Sequence, residues 1–291
     1  MKTSKIRIIL ALFLSTTVLA AGCATPYDTS FSADSGFDPE NPHLSKRDQK
    51  EIEIGKDIHR EILSSFSVYT EPQANEYVKE ITAMLAKASH RPGLPYECTI
   101  LYSDKIYAAA APGGHVYITT GFINILDNEA ELAGVLAHEV AEIQYQNPKY
   151  SQGKQALQAA ETVVGIAGGF FGPYGMLAFV GIAALNYMTD EKGLDQRVIM
   201  ADRKAMIYMA RSGYDPQGLI DVLYKVIYTE PNMVAFLIDY YNSRPVNADR
   251  LKQANKVFRQ LDLANKSFDT NRQKFLNGVA GIKELYMEAA R

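Results

Sequence analysis

The sequence predicts an α+β fold, predominantly helical, from three observations. Apolar residues recur at helical spacing over most of the span 45–261, two short runs at 97–102 and 115–120 carry strand-type patterning, and Gly- and Pro-containing breaks separate the two kinds of segment. At 291 residues with 47% hydrophobic side chains, the chain is long enough for one sizeable domain with a well-buried core.

The elements follow in order. Lys2, Lys5 and Arg7 precede an uncharged run from Ile8 to Gly22, a basic region followed by an apolar one, as in a secretory signal. The run is too short for a membrane span. Leu19-Ala20-Ala21-Gly22-Cys23 looks like a lipobox, which makes residues 1–22 a lipoprotein signal peptide and Cys23 the lipidated N-terminus of the mature chain. Ala24 and Thr25 follow without an aspartate, which points to the outer membrane, facing the periplasm. Residues 23–44, rich in Ser, Asp, Pro and Gly, read as a flexible tether, and residues 45–291 as the domain.

Removal of the signal peptide leaves 27 basic residues against 33 acidic ones, a net charge of −6. No basic stretch interleaved with aromatics appears, so a nucleic-acid partner is disfavoured. Cys98 is the only other cysteine. Once Cys23 is acylated no intramolecular disulfide can form, and the fold must rest on its packed core.

Ser45 is the expected N-cap of a first helix with Ile52, Ile54, Ile58 and Ile62 on one side. A second helix is expected over Gln73–Ser89, ending near Pro92-Gly93. Strands are expected at Glu97–Tyr102 and His115–Thr120, separated by an Ala-rich stretch and Pro112-Gly113-Gly114. Asn128 is the N-cap, and Glu131 the capping-box partner, of a helix containing Leu132, Val135, Leu136 and Ile143. Thr162–Thr189 carries no charge, but Gly168-Gly169, Gly172-Pro173 and Gly175 divide it into pieces each shorter than the ~20 residues of a span, so a buried or membrane-facing hairpin is expected. Helix resumes over Gln196–Arg211, breaks at Gly213-Tyr214-Asp215-Pro216, and continues through Tyr228. Asn247 is the expected cap of a final helical region reaching Arg291, with Leu251, Val257 and Leu261 on its apolar side.

The chemistry centres on His138-Glu139-Val140-Ala141-Glu142, one residue from H-E-x-x-H. In that motif two histidines at i and i+4 share a helix face and bind zinc, and the glutamate activates the metal-bound water. Here Glu142 stands at i+4, and a carboxylate can bind zinc. Alone, H-E-x-x-E on a helix is a weak signal. Its context is stronger. Pro112-Gly113-Gly114-His115-Val116-Tyr117-Ile118-Thr119-Thr120-Gly121, Asp127 to Ala133, Leu136 to Ala141, Ala201-Asp202-Arg203, Ala210 to Pro216, and Ser243-Arg244-Pro245 through Arg250 occur in order. Together they resemble the HtpX-like and CaaX-prenyl-protease-like zinc metallopeptidases, a gluzincin family with a periplasmic lipoprotein branch.

That resemblance implies a metallopeptidase domain with a small sheet beside the His138 helix. It places His138 as first zinc ligand, Glu139 as general base, and Glu142 in the second histidine's position. The third ligand is expected four residues before Asp202, where this chain has Val198. Asp202 is expected to support a zinc-binding histidine, although it or Asp195 is also a candidate third carboxylate. Arg244 occupies a position where histidine is usual. The resemblance also makes His115, Val116, Tyr117 and Ile118 an edge strand that receives an extended peptide.

Two readings follow. In one, Arg244 replaces the metal's charge by pairing with Glu142, and the protein is a peptide-binding pseudopeptidase of the envelope, acting in outer-membrane protein quality control without metal. In the other, it is a metalloendopeptidase holding zinc through His138, Glu142 and a third carboxylate, or a harder ion if the site is oxygen-rich. The expected partners are unfolded or misassembled envelope proteins, and the membrane through the lipid anchor. His43, His59, His90 and His115 are dispersed and read as structural or solvated residues, with His59 and His90 at exposed helix positions.

Overall fold

The computed structural model describes residues 44–145, 191–228, 248–261, 263 and 266–289. The expected signal peptide at 1–22, Cys23, His43, the uncharged 162–189 segment, Arg244 and Asn247 lie outside the described residues. Those described form nine α-helices around a three-stranded sheet, the expected predominantly helical α+β fold.

Helix α1 (Lys46–Ser65) starts as its sequence requires: the Ser45 side chain accepts from the Asp48 N–H, and Asp48 accepts from the Ser45 N–H. Its first turns are fixed from outside by Arg91, which reaches Asp48 at 2.5 Å and the buried Glu51 at 2.7 Å. Glu51 also accepts from the Gly113 N–H. Further along, α1 lies directly on the Pro112 turn. A Cβ on Gly55 would stand 2.0 Å from the Pro112 carbonyl oxygen, so only glycine permits this approach.

Helix α2 (Pro72–Lys87) has proline in its first turn and the Glu71 carboxylate accepting from the Gln73 and Ala74 N–H groups. Strands β1 (Glu97–Leu101), β2 (Ala108–Ala111) and β3 (His115–Thr119) lie in the order β1-β3-β2, with β3 parallel to β1 and antiparallel to β2. Strand β2 is the Ala-rich stretch that the sequence left without an element. Four alanines carry no strand preference of their own, and pairing with β3 makes them one.

The strand order corrects one expectation. His115, Val116, Tyr117 and Ile118 do not form an edge: β3 is hydrogen-bonded on both sides and buried along its length. A strand whose donors and acceptors are already paired cannot receive a peptide by strand addition. The outer positions belong to β1 and β2. On β1 the Val68 bridge to Leu101 and the Tyr69 N–H donated to the Ile100 carbonyl already cover part of the edge.

Helix α3 (Thr120–Ile125) leads from β3 to α4 (Glu129–Tyr145). Asn128 caps α4 as expected, its side-chain oxygen accepting from the Glu131 N–H at 3.0 Å, while Glu131 takes the Asp127 N–H at 2.8 Å. Helix α4 is the centre of the molecule, packed by α2, by β2, and by α5 (Glu191–Arg211) and α6 (Gln217–Tyr228). Leu132, Ala133, Leu136, Ala137, Val140 and Ala141 are buried around its circumference. A helix apolar on nearly every side belongs in a core, and that surrounding makes the few polar residues it carries conspicuous.

Helix α7 (Ala248–Phe258) covers α5 and α6, and α8 (Arg272–Gly278) and α9 (Ala280–Ala289) close the far side. The expected final helical region thus holds three separate helices among the described residues. Among the described residues no helix is long and apolar enough to cross a membrane.

Candidate metal centre

Three helices bring polar groups together inside the apolar core. Helix α4 supplies His138, Glu139 and Glu142, α5 supplies Asp202, and α7 supplies Arg250. All five are between 2% and 8% exposed. The i, i+4 spacing sets His138 Nε2 facing Glu142 Oε1 at 3.7 Å. The other ring nitrogen, Nδ1, lies 2.8 Å from Asp202 Oδ1. With a carboxylate accepting there, Nδ1 is the donor on that side, and Nε2 faces Glu142.

Asp202 is itself held by Arg250, whose Nε donates to Oδ2 and Nη2 to Oδ1, each at 2.7 Å. This is the bidentate fork that guanidinium and carboxylate form best. The 3.4 Å approach of Nη2 to His138 Nδ1 brings two donors to the shared acceptor Oδ1. Burial alone would raise the Asp202 pKa, but the Arg250 guanidinium and then His138 hold it down at about 2. The carboxylate is thus charged throughout the physiological range.

The four residues singled out here in the sequence, His138, Glu139, Glu142 and Asp202, do lie close together in the fold. Arg250 was missed as a partner. The guanidinium beside the cluster comes from Arg250, six residues beyond Arg244 in the same sequence block, and Arg244 lies outside the described residues.

The donors can be set against what zinc needs. Catalytic zinc takes three protein ligands, leaving one position open. His138 Nε2 and Glu142 Oε1 face each other and supply two. Val198 is buried and aliphatic. Asp202 stands behind the ring on the Nδ1 side, both oxygens engaged. Asp195 falls within α5. Among the described side chains the donor set is therefore one ligand short.

A second group of polar side chains forms at the sheet. His59 on α1, Glu97 on β1 and His115 on β3 place one ligand-type atom each within 4.8 Å of the others, the only such group of three among the described residues. The two imidazoles stack with centroids 4.4 Å apart, and His59 Nδ1 lies 2.8 Å from the Tyr117 hydroxyl. Burial, with His59 and Lys56 adding to it, lowers the His115 pKa to about 4. His59 and His90 are not the exposed positions that helical spacing suggested. Both are half-buried against a tyrosine, His90 with Nδ1 at 2.8 Å from the Tyr208 hydroxyl.

The comparisons agree with this architecture. Residues 72–257 match the model of peptidase family M48. Over 183 residues the chain is 26% identical to the beta-barrel assembly-enhancing protease of Escherichia coli K12, covering 61% of this chain and 38% of that protein. The protein of the same name from Yersinia pestis is 26% identical over 185 residues, covering 61% and 37%. A putative one from Vibrio cholerae is 25% identical over 181 residues, covering 58% and 36%. The chain thus spans under two-fifths of the length of these curated relatives. The sequence blocks, the α+β core around the His138 helix and the match over 72–257 lead to one assignment: this chain belongs to peptidase family M48.

Proposed function

We propose that this protein is a lipid-anchored envelope protein whose M48 domain binds extended segments of other envelope proteins without cleaving them. The observation that carries the reading is that no third ligand stands beside His138 and Glu142 among the described side chains. Val198 is buried at the family's ligand position, and Asp202, one turn on, is committed to Arg250 and His138. Glu139 then has no activated water to serve as base.

In this reading the folded unit is 45–291, tethered through 23–44 to lipidated Cys23 in the outer membrane and facing the periplasm. Its partners are unfolded or misassembled envelope proteins. The relatives are named for enhancing β-barrel assembly, and quality control of outer-membrane proteins is the corresponding role here.

One observation favours a second reading, an active metalloendopeptidase. His138 still presents Nε2 to Glu142, and Asp202 still orients the ring from behind, an arrangement suited to holding a cation. With Asp195 as a third carboxylate, such a site would hold zinc or a harder ion, with Glu139 as base.

Metal content separates the two. Protein purified without chelator should carry no ion that a His138→Ala substitution removes, and an equivalent lost in that variant would overturn the pseudopeptidase. In a casein assay, wild type and Glu139→Gln should give the same background, and activity lost on that substitution would establish the peptidase.

A further inference from the structure

We propose that His59, Glu97 and His115 form a metal site, built from residues other than the His138 cluster, that takes a zinc-type divalent ion and clamps α1 to the sheet. Three separate features of the fold converge on it. The glycine contact at Gly55 seats α1 on the Pro112 turn, and a Cβ there would also lie 3.2 Å from the His115 ring. His59 follows one turn later on the same helix face, which brings its imidazole over His115. In the parallel pairing of β1 with β3, Glu97 is the register partner of His115, so the carboxylate and the ring share one face of the sheet.

The polar groups around these residues leave a ligand's place open. His115 is more than nine-tenths buried, yet its Nδ1 makes no hydrogen bond. Leaving such an atom without a partner is unfavourable, and an ion bound at Nδ1 would give it one. On His59 the Tyr117 hydroxyl takes Nδ1, leaving Nε2 as the nitrogen for an ion. A partner on the far nitrogen is the usual way a ligating imidazole is oriented.

Two imidazoles and a carboxylate are a zinc donor set, with a fourth position left for water. Donors at about 2.0–2.2 Å from a tetrahedral ion stand ~3.4 Å apart, so the 4.8 Å group must contract. The exposed Glu97 side chain can swing inward. The ring planes lie within 12° of each other, so one ring must tilt out of the stack. His59, half-buried on the surface of α1, has the room to do so. The ion would then tie the first helix to two strands, a cross-link in a fold that has no disulfide to make one.

The test is a zinc chloride titration of the full-length protein after removal of bound metal, read by calorimetry and by the thermal midpoint. Wild type should bind one equivalent and melt higher with zinc than without. Glu97→Gln, at an exposed position, should weaken that binding by tenfold or more and lose the thermal shift, with unchanged melting in the absence of zinc, and His59→Asn, which also gives up the Tyr117 hydroxyl, should weaken the binding likewise. His138→Ala should keep both. Absence of binding in wild type, or binding unchanged in the Glu97 and His59 variants, would overturn the site. An equivalent lost only in His138→Ala would overturn it too, and would separately overturn the pseudopeptidase reading.

Discussion

Arg250 is the residue on which the His138 cluster depends. Removing its guanidinium would leave Asp202 charged, nearly inaccessible to water, and held only by the His138 N–H. Breaking a buried pair by deleting one partner costs about 3–5 kcal/mol, so Arg250→Met should lower unfolding stability by that order in urea titrations. Arg250→Lys should recover only part of it, because an ammonium cannot make the two-pronged contact. His90 gives a prediction in pH. Burial, then Lys204 and Arg211, lowers its pKa from the ordinary 6.5 to about 4. Between those values the unfolded chain takes up a proton that the folded one refuses, so stability falls as pH drops from about 6.5 to about 4 and levels off below. His115, shifted the same way, adds to the trend. Urea midpoints at pH 7 and pH 4.5 should differ in that direction, and His90→Gln should flatten the difference without abolishing it.

The elements divide by how locally they are determined. Helices α1 and α4 were legible because their caps are written into a few adjacent residues, Ser45 with Asp48 and Asn128 with Glu131. Strand β2 was not, since nothing in four alanines prefers a strand until β3 lies beside them. The central position of β3 was equally hidden, because a buried apolar strand reads the same at the middle of a sheet as near its edge. The site follows the same rule. His138, Glu139 and Glu142 share one helix, and the Asp202 position came from the family pattern. Arg250 with Asp202, and His59 with Glu97 and His115, meet only through packing of separate elements. Close packing also sets a prediction at this scale. Helix α6 lies so near α4 that a Cβ on Gly218 would stand 2.4 Å from the Ala130 carbonyl. Gly218→Ala must push the two helices apart, and the ordinary cost of such overpacking, about 1–3 kcal/mol, should appear as a lower urea midpoint.

For the molecule as a whole, the proposed attachment to the membrane and the stability of the fold should separate cleanly. The core is built from side chains alone, and among the described residues no helix can cross a bilayer. The chain has two cysteines, and burial pushes the Cys98 thiol up to about 12, leaving almost no thiolate at neutral pH. Since the thiolate is the reactive form, Cys98 is closed both to acylation and to disulfide exchange while the protein is folded. In the proposed reading the lipid is carried by Cys23. Each buried methylene contributes about 0.8 kcal/mol, so one chain holds only marginally and a multiply acylated cysteine holds firmly. Cys23→Ser should therefore abolish incorporation of labelled palmitate and release the protein from washed membranes, whereas Cys98→Ala should do neither. The domain released in this way should melt within ~1 °C of the anchored one, because no contact of the core is lost. Retention of Cys23→Ser on membranes after a high-salt and carbonate wash would mean that another part of the chain makes the attachment, and the uncharged segment 162–189 would be the first to delete.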